Sequence, residues 1–75
     1  MKLNKLLKLI LYDNYKVIVE NYNELKEITN EKIIIDCYFI YGQNLKIVTI
    51  DEFLIQINGK INNIEYISDS KWNIM

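Results

Sequence analysis

The sequence predicts a mainly β domain: a small antiparallel meander or rolled sheet of about six short strands behind one amphipathic N-terminal helix. Three observations lead there. Residues 31–66 are dense in β-branched and aromatic side chains. That stretch is cut at short intervals by Gly42-Gln43-Asn44, Asp51-Glu52 and Asn58-Gly59, which carry turn chemistry. Every connection is short, and a parallel crossover needs about a dozen residues or more, so neighbouring strands must be mostly antiparallel.

Residues 1–11, MKLNKLLKLIL, place Lys2, Lys5, Lys8 and Asn4 on one side of a helical wheel. Leu3, Leu6, Leu7, Ile10 and Leu11 fall on the other side, with Leu9 at the boundary. This is the pattern of an amphipathic helix. Helices shorter than about 12–15 residues are marginal alone in water, so it needs a surface to lie on. Three are open to it: the domain's own sheet, a groove on a partner protein, or an anionic membrane surface drawn to the lysines and leucines.

Tyr12-Asp13-Asn14 reads as the turn that ends this helix. Residues 15–20 alternate, with Val17 and Val19 on one face and Lys16, Ile18 and Glu20 on the other. Asparagines at 21 and 23 make the next turn, and residues 25–29 read as a short strand, preferred over a helix at residues 23–28 because the segment is short and flanked by strands. Residues 33–41 form the longest apolar run, with both faces largely apolar and Asp36 marking the wetter one; the run is one strand or two with a bend near Asp36-Cys37. Gly42-Gln43-Asn44 reads as a hairpin loop, residues 45–50 as a strand and Asp51-Glu52-Phe53 as a turn. Residues 54–58 follow, and Asn58-Gly59 is either a tight hairpin or a bulge through which the strand continues. Residues 64–67 form the last strand, and residues 68–75 a tail whose Trp72 and Ile74 have the sheet or a neighbour to dock on.

Composition narrows the function. The chain has 75 residues, enough for one domain, and 51% of them are hydrophobic. A domain this small buries only about 60% of its unfolded surface, so some of those side chains must stay exposed or meet a partner. All 9 basic residues are lysine, and the net charge is −1. Nucleic-acid readers favour the planar fork of arginine and a basic face, so nucleic acid is not expected as the main partner. The six tyrosines keep a small barrel-like nucleic-acid-binding domain as the alternative. There is no histidine, the commonest general base and metal ligand. Cys37 is the only cysteine and reads as a small buried hydrophobe of a reducing compartment. Asp51 and Glu52 are adjacent and diverge in a turn, and Ser68, Ser70 and Thr49 lack any activating base. No enzyme, cofactor or metal is expected. No apolar run approaches the ~20 residues of a spanning helix, and no signal-peptide cleavage pattern opens the chain. The expected location is cytoplasmic, with peripheral membrane contact through residues 1–11 as the sharper reading.

Residues 15–67 also resemble the YabP/YqfC family of sporulation proteins. The resemblance rests on an opening Val17-Ile18-Val19-Glu20-Asn21, then Leu25-Lys26-Glu27-Ile28 and Ile33-Ile34-Ile35-Asp36. Gly42-Gln43-Asn44-Leu45-Lys46-Ile47 follows, and the close over residues 54–66 sets Gly59, Ile61, Ile64, Glu65 and Tyr66 in the pattern L-x-I-x-G-x-I-x-x-I-E-Y. The close is the most specific piece. The chain departs from YqfC-like members in lacking a proline and basic segment before the first strand, and in having Tyr41 before Gly42. The resemblance implies a non-enzymatic protein of endospore formation in a Firmicute, acting with a YqfD-like membrane protein in the mother cell. It carries over no catalytic residue. Together with exposed sheet edges only partly guarded by Lys16, Lys26, Lys46 and Lys60, the apolar excess predicts a homo-oligomer.

Overall fold

A computed structural model of the chain describes residues 6–67. The strands are β1 (Lys8–Tyr12), β2 (Lys16–Glu20), β3 (Leu25–Ile28), β4 (Lys32–Ile35), β5 (Tyr38–Ile50) and β6 (Leu54–Tyr66). They form one six-stranded sheet in the order β1-β2-β6-β5-β4-β3, antiparallel at every pairing. The mainly β expectation holds. The order is not a simple meander: β3 to β6 run as one, and the β1–β2 hairpin joins it through β2 and β6.

That order forces the sheet to roll. In a flat sheet β3 would lie four strand spacings from β2, about 19 Å. The five Cα steps from Glu20 to Leu25 reach at most ~18 Å fully stretched, and this link is not stretched, because Asn21 sits at φ 61°. The strands therefore curl until the end of β2 and the start of β3 meet. The link is pinned at both ends. Asn21 N–H donates to Phe53 O at 2.7 Å, and the Asp36 carboxylate accepts from Asn23 N–H at 3.0 Å and Glu24 N–H at 2.8 Å.

The long β5–β6 hairpin supplies both halves of the roll. β2 pairs with residues 54–58 of β6, whereas β4 pairs with residues 38–41 of β5. Between these halves the β5–β6 register shifts. Tyr41 lies opposite Asn63 but Gly42 opposite Ile61, which leaves Asn62 as an extra residue on β6; Asn44-Leu45 oppose Gly59, and Val48 is extra on β5. Each bulge changes which parity faces inward. On β5 the inward row runs Ile40, Gly42, then Leu45 and Ile47, with the change at Asn44, φ 55°. On β6 it runs Ile55, Ile57, Ile61, then Ile64, with the change after Asn62. The bulges thus let one hairpin bend and still aim its isoleucines at one core. That core gathers Val17 and Val19 of β2, Ile33 and Ile35 of β4, Ile40 and Leu45 of β5, and Ile55, Ile57 and Ile61 of β6.

Several sequence expectations are corrected. The helix over residues 1–11 is not present where the structure describes it: Lys8–Tyr12 is strand β1, and Leu6 and Leu7 lead into it without helical structure. Residues 1–5 lie outside the described residues. Asp13 (φ 50°) and Asn14 (φ 61°) both adopt the left-handed conformation, and Tyr15 N–H donates to Tyr12 O. Two such residues make a tight hairpin turn whose twist matches the strands. Tyr12-Asp13-Asn14 therefore turns a strand back on itself instead of ending a helix. Leu9 then pairs with Val19 and Leu11 with Val17. The burial of Leu9 against the core outweighs a helix propensity worth only tenths of a kcal/mol per residue.

Gly42-Gln43-Asn44 is not a loop but lies inside β5, and residues 45–50 continue that strand. Asn58-Gly59 is the bulge alternative, and residues 64–66 extend β6 in place of forming a separate strand. The run over residues 33–41 is two strands, broken at Asp36, φ 53°. Cys37 lies half-buried in that break, not in the core. The tail over residues 68–75 lies outside the described residues.

Candidate interaction surface

Rolling a six-stranded sheet without closing it leaves free edges, and the free edges carry the exposed apolar side chains. β1 and β3 are the terminal strands of the sheet. Residues 46–50 of β5 have β6 on one side only, because β4 stops pairing at Tyr41. Leu11 and Tyr12 on β1 are each 42% exposed, Ile28 on β3 54%, and Val48 and Ile50 on β5 46% and 52%. Leu6, just before β1, is 88% exposed, and Phe53 in the β5–β6 turn 55%.

The residues singled out from the sequence separate into two groups. Of the expected docking helix, Lys2, Leu3 and Lys5 lie outside the described residues. Leu7 packs against the core with Leu9, Ile10 and Lys8 pair with Ile18 and Glu20, and Leu11 lies at the sheet edge. The lysine and leucine faces of a helical wheel are therefore not the faces this segment presents; strand alternation sorts Leu9 and Leu11 from Lys8, Ile10 and Tyr12.

The Gly42, Leu45, Gly59 and Ile61 set does come together, at the bend of the β5–β6 hairpin. Gly42 lies opposite Ile61, and Leu45 and Ile61 are both buried. A Cβ on Gly42 would overlap Lys60 O, and one on Gly59, φ 135°, would lie 2.6 Å from Asn44 O. Ile64 packs against the core, Glu65 lies opposite Phe39, and the Tyr66 ring tilts against Tyr38 at 5.0 Å. These residues shape the hairpin.

The carboxylates have structural work that sequence reasoning missed. Asp51 Oδ1 accepts from Phe53 N–H at 2.8 Å and Leu54 N–H at 2.9 Å, closing the β5–β6 turn. Asp36 pins the β2–β3 link. The signal for Asp51 was the tendency of Asp to accept from nearby backbone N–H groups in turns; for Asp36 the donors lie 13 and 12 residues away, beyond the reach of any local pattern. Glu27 pairs with Lys32 at 3.4 Å across β3 and β4, where both side chains are well exposed and the pair adds little stability.

An open depression of about 550 Å³ is lined by Leu6, Leu7, Asp36, Cys37, Tyr38 and Tyr66, among others. Its Asp36 carboxylate is already engaged by backbone amides. Among the described residues no group of three or more His, Cys, Asp or Glu is placed to hold a metal ion, and no helix is long and apolar enough to cross a membrane.

No family model, no curated protein and no solved structure matches the chain.

Proposed function

We propose that this chain is a non-enzymatic, self-associating β domain that acts as a structural or adaptor module. The observation that carries the reading is the pairing of free strand edges with exposed large apolar side chains at Leu11, Ile28, Val48, Ile50 and Phe53. A strand edge offers unpaired N–H and C=O groups, and apolar neighbours make their pairing with another chain favourable. The resemblance of residues 15–67 to YabP/YqfC proteins gives the module a setting: endospore formation in a Firmicute, in the mother cell, with a YqfD-like membrane protein as partner. That part rests on the quoted motif residues alone.

Sedimentation velocity across a concentration series tests the self-association. The sedimentation coefficient is expected to rise with concentration through the micromolar range; a compact monomer throughout would end the reading. Co-expression with a YqfD-like membrane protein tests the setting. The chain should then fractionate with membranes, and its staying in the soluble fraction would remove that partner.

A further inference from the structure

The hydrogen-bond alternation decides which groups of β1 are free. Asn21 N–H donates to Phe53 O, and Tyr15 O accepts from Gly59 N–H. The odd-numbered residues of β2 therefore turn their amides toward β6, and the even-numbered ones toward β1. Those even residues lie opposite Lys8, Ile10 and Tyr12. The N–H and C=O groups of Leu9 and Leu11 consequently point away from the sheet, where no strand lies among the described residues.

Two of the other edges are guarded. β3 has 4 residues and a register shift between Leu25 and Glu27, and residues 46–50 of β5 are bulged at Val48. Bulges of this kind spoil an edge as a template for pairing. β1 pairs with β2 in unbroken register over all 5 residues and bears a lysine only at its first position.

We infer that the β1 edge is the seam for a second copy of this chain, β1 lying antiparallel to the partner's β1 about a two-fold axis at Ile10. This rests on the self-association proposed above and names the surface for it. The sequence around Ile10 reads Leu9-Ile10-Leu11, the same in both directions. The two-fold therefore sets Leu9 opposite the partner's Leu11 and Ile10 opposite the partner's Ile10. The outward amides belong to Leu9 and Leu11, which are the residues that must exchange hydrogen bonds in this register. The exposed flank of Leu11, 42% accessible, is covered in the process.

Charge agrees with the same register. Lys8 comes opposite the partner's Tyr12 and not opposite the partner's Lys8. Within one copy Lys8 lies opposite Glu20 in the strand register, and Lys16 lies over the Tyr12 ring at 5.0 Å. Across the seam the outer row then reads Glu20, Lys8, the partner's Tyr12, the partner's Lys16. No like charges stand directly opposite, and each Lys8 has a carboxylate on one side and an aromatic ring on the other.

The test is a cross-link in the full chain with the native thiol removed, Cys37→Ser. Ile10→Cys in that background sets two thiols against each other across a non-hydrogen-bonded pair, where opposed Cα atoms approach to about 4.5 Å. Mild oxidation should give a covalent dimer from Ile10→Cys and not from Ile28→Cys or Ile50→Cys. In parallel, Leu11→Pro deletes an outward N–H while leaving β1–β2 bonds in place; sedimentation should show self-association weakened at least about tenfold, from two donors lost per dimer. Cross-linking through Ile28→Cys or Ile50→Cys in place of Ile10→Cys overturns this seam and leaves self-association standing. A chain that is monomeric before any substitution overturns both.

Discussion

Gly42 and Gly59 occupy positions where a side chain has nowhere to go. The backbones of β5 and β6 approach so closely at the bend that a Cβ on Gly42 would run into Lys60 O, and Gly59 adds a φ of 135° that L-residues rarely adopt. Gly42→Ala and Gly59→Ala should each lower stability by about 2–3 kcal/mol, from clash and backbone strain together. For a domain of this size that is a fall in Tm of roughly 10–20 °C, readable by circular dichroism. Ala at Asn62, on the same bend but exposed, should move Tm by far less. A melting temperature unchanged in Gly42→Ala would mean that the hairpin does not bend as described.

β1 shows how an element can be misread from its own residues. Residues 8–11 fit a helical wheel and a strand equally well, since four of the five residues of β1 are apolar or aromatic and only Lys8 is charged. The arbiter lies outside the segment. Asp13-Asn14 tolerates two consecutive left-handed residues, and the alternating Val17-Ile18-Val19 beyond it offers a partner strand. A short hairpin connection with Asp-Asn between apolar runs was the available signal. The other strands were legible because their alternation is strict, as at Val17 and Val19, or because β-branched residues crowd them, as in β4. The continuity of β5 and β6 was not legible: Gly42, Asn44 and Gly59 carry the same chemistry in a bulge as in a turn, and only long-range pairing tells the two apart. The same logic predicts how truncation behaves. Removing residues 1–5 is the reference truncation, since it keeps every residue of β1. Removing residues 1–12 takes away β1 and strips Leu7 and Leu9 from the core, so the cooperative melt should be lost. A cooperative melt surviving the longer deletion would show that β1 is not part of the folded unit.

At the scale of the whole molecule, stability and association become one quantity. The core cluster is nine residues, none charged, with no disulfide to support it. A chain of this length carries on the order of 4–11 kcal/mol of stability, comparable to the roughly 4–10 kcal/mol that two large-to-small core substitutions would remove. Pairing at the β1 edge binds the folded chain and not the unfolded one, so it adds to apparent stability by mass action. At a concentration about 100 times the dissociation constant the gain is about 2.7 kcal/mol, a large share of the total. The melting temperature should therefore climb as protein concentration is raised, and in Leu11→Pro the climb should begin only at a concentration at least about tenfold higher, while its dilute-limit value stays close to that of the parent chain. Differential scanning calorimetry over two decades of concentration measures both. A melting temperature independent of concentration in the parent would mean that the free edges contribute nothing to the folded state, and that nine apolar side chains hold the roll together unaided.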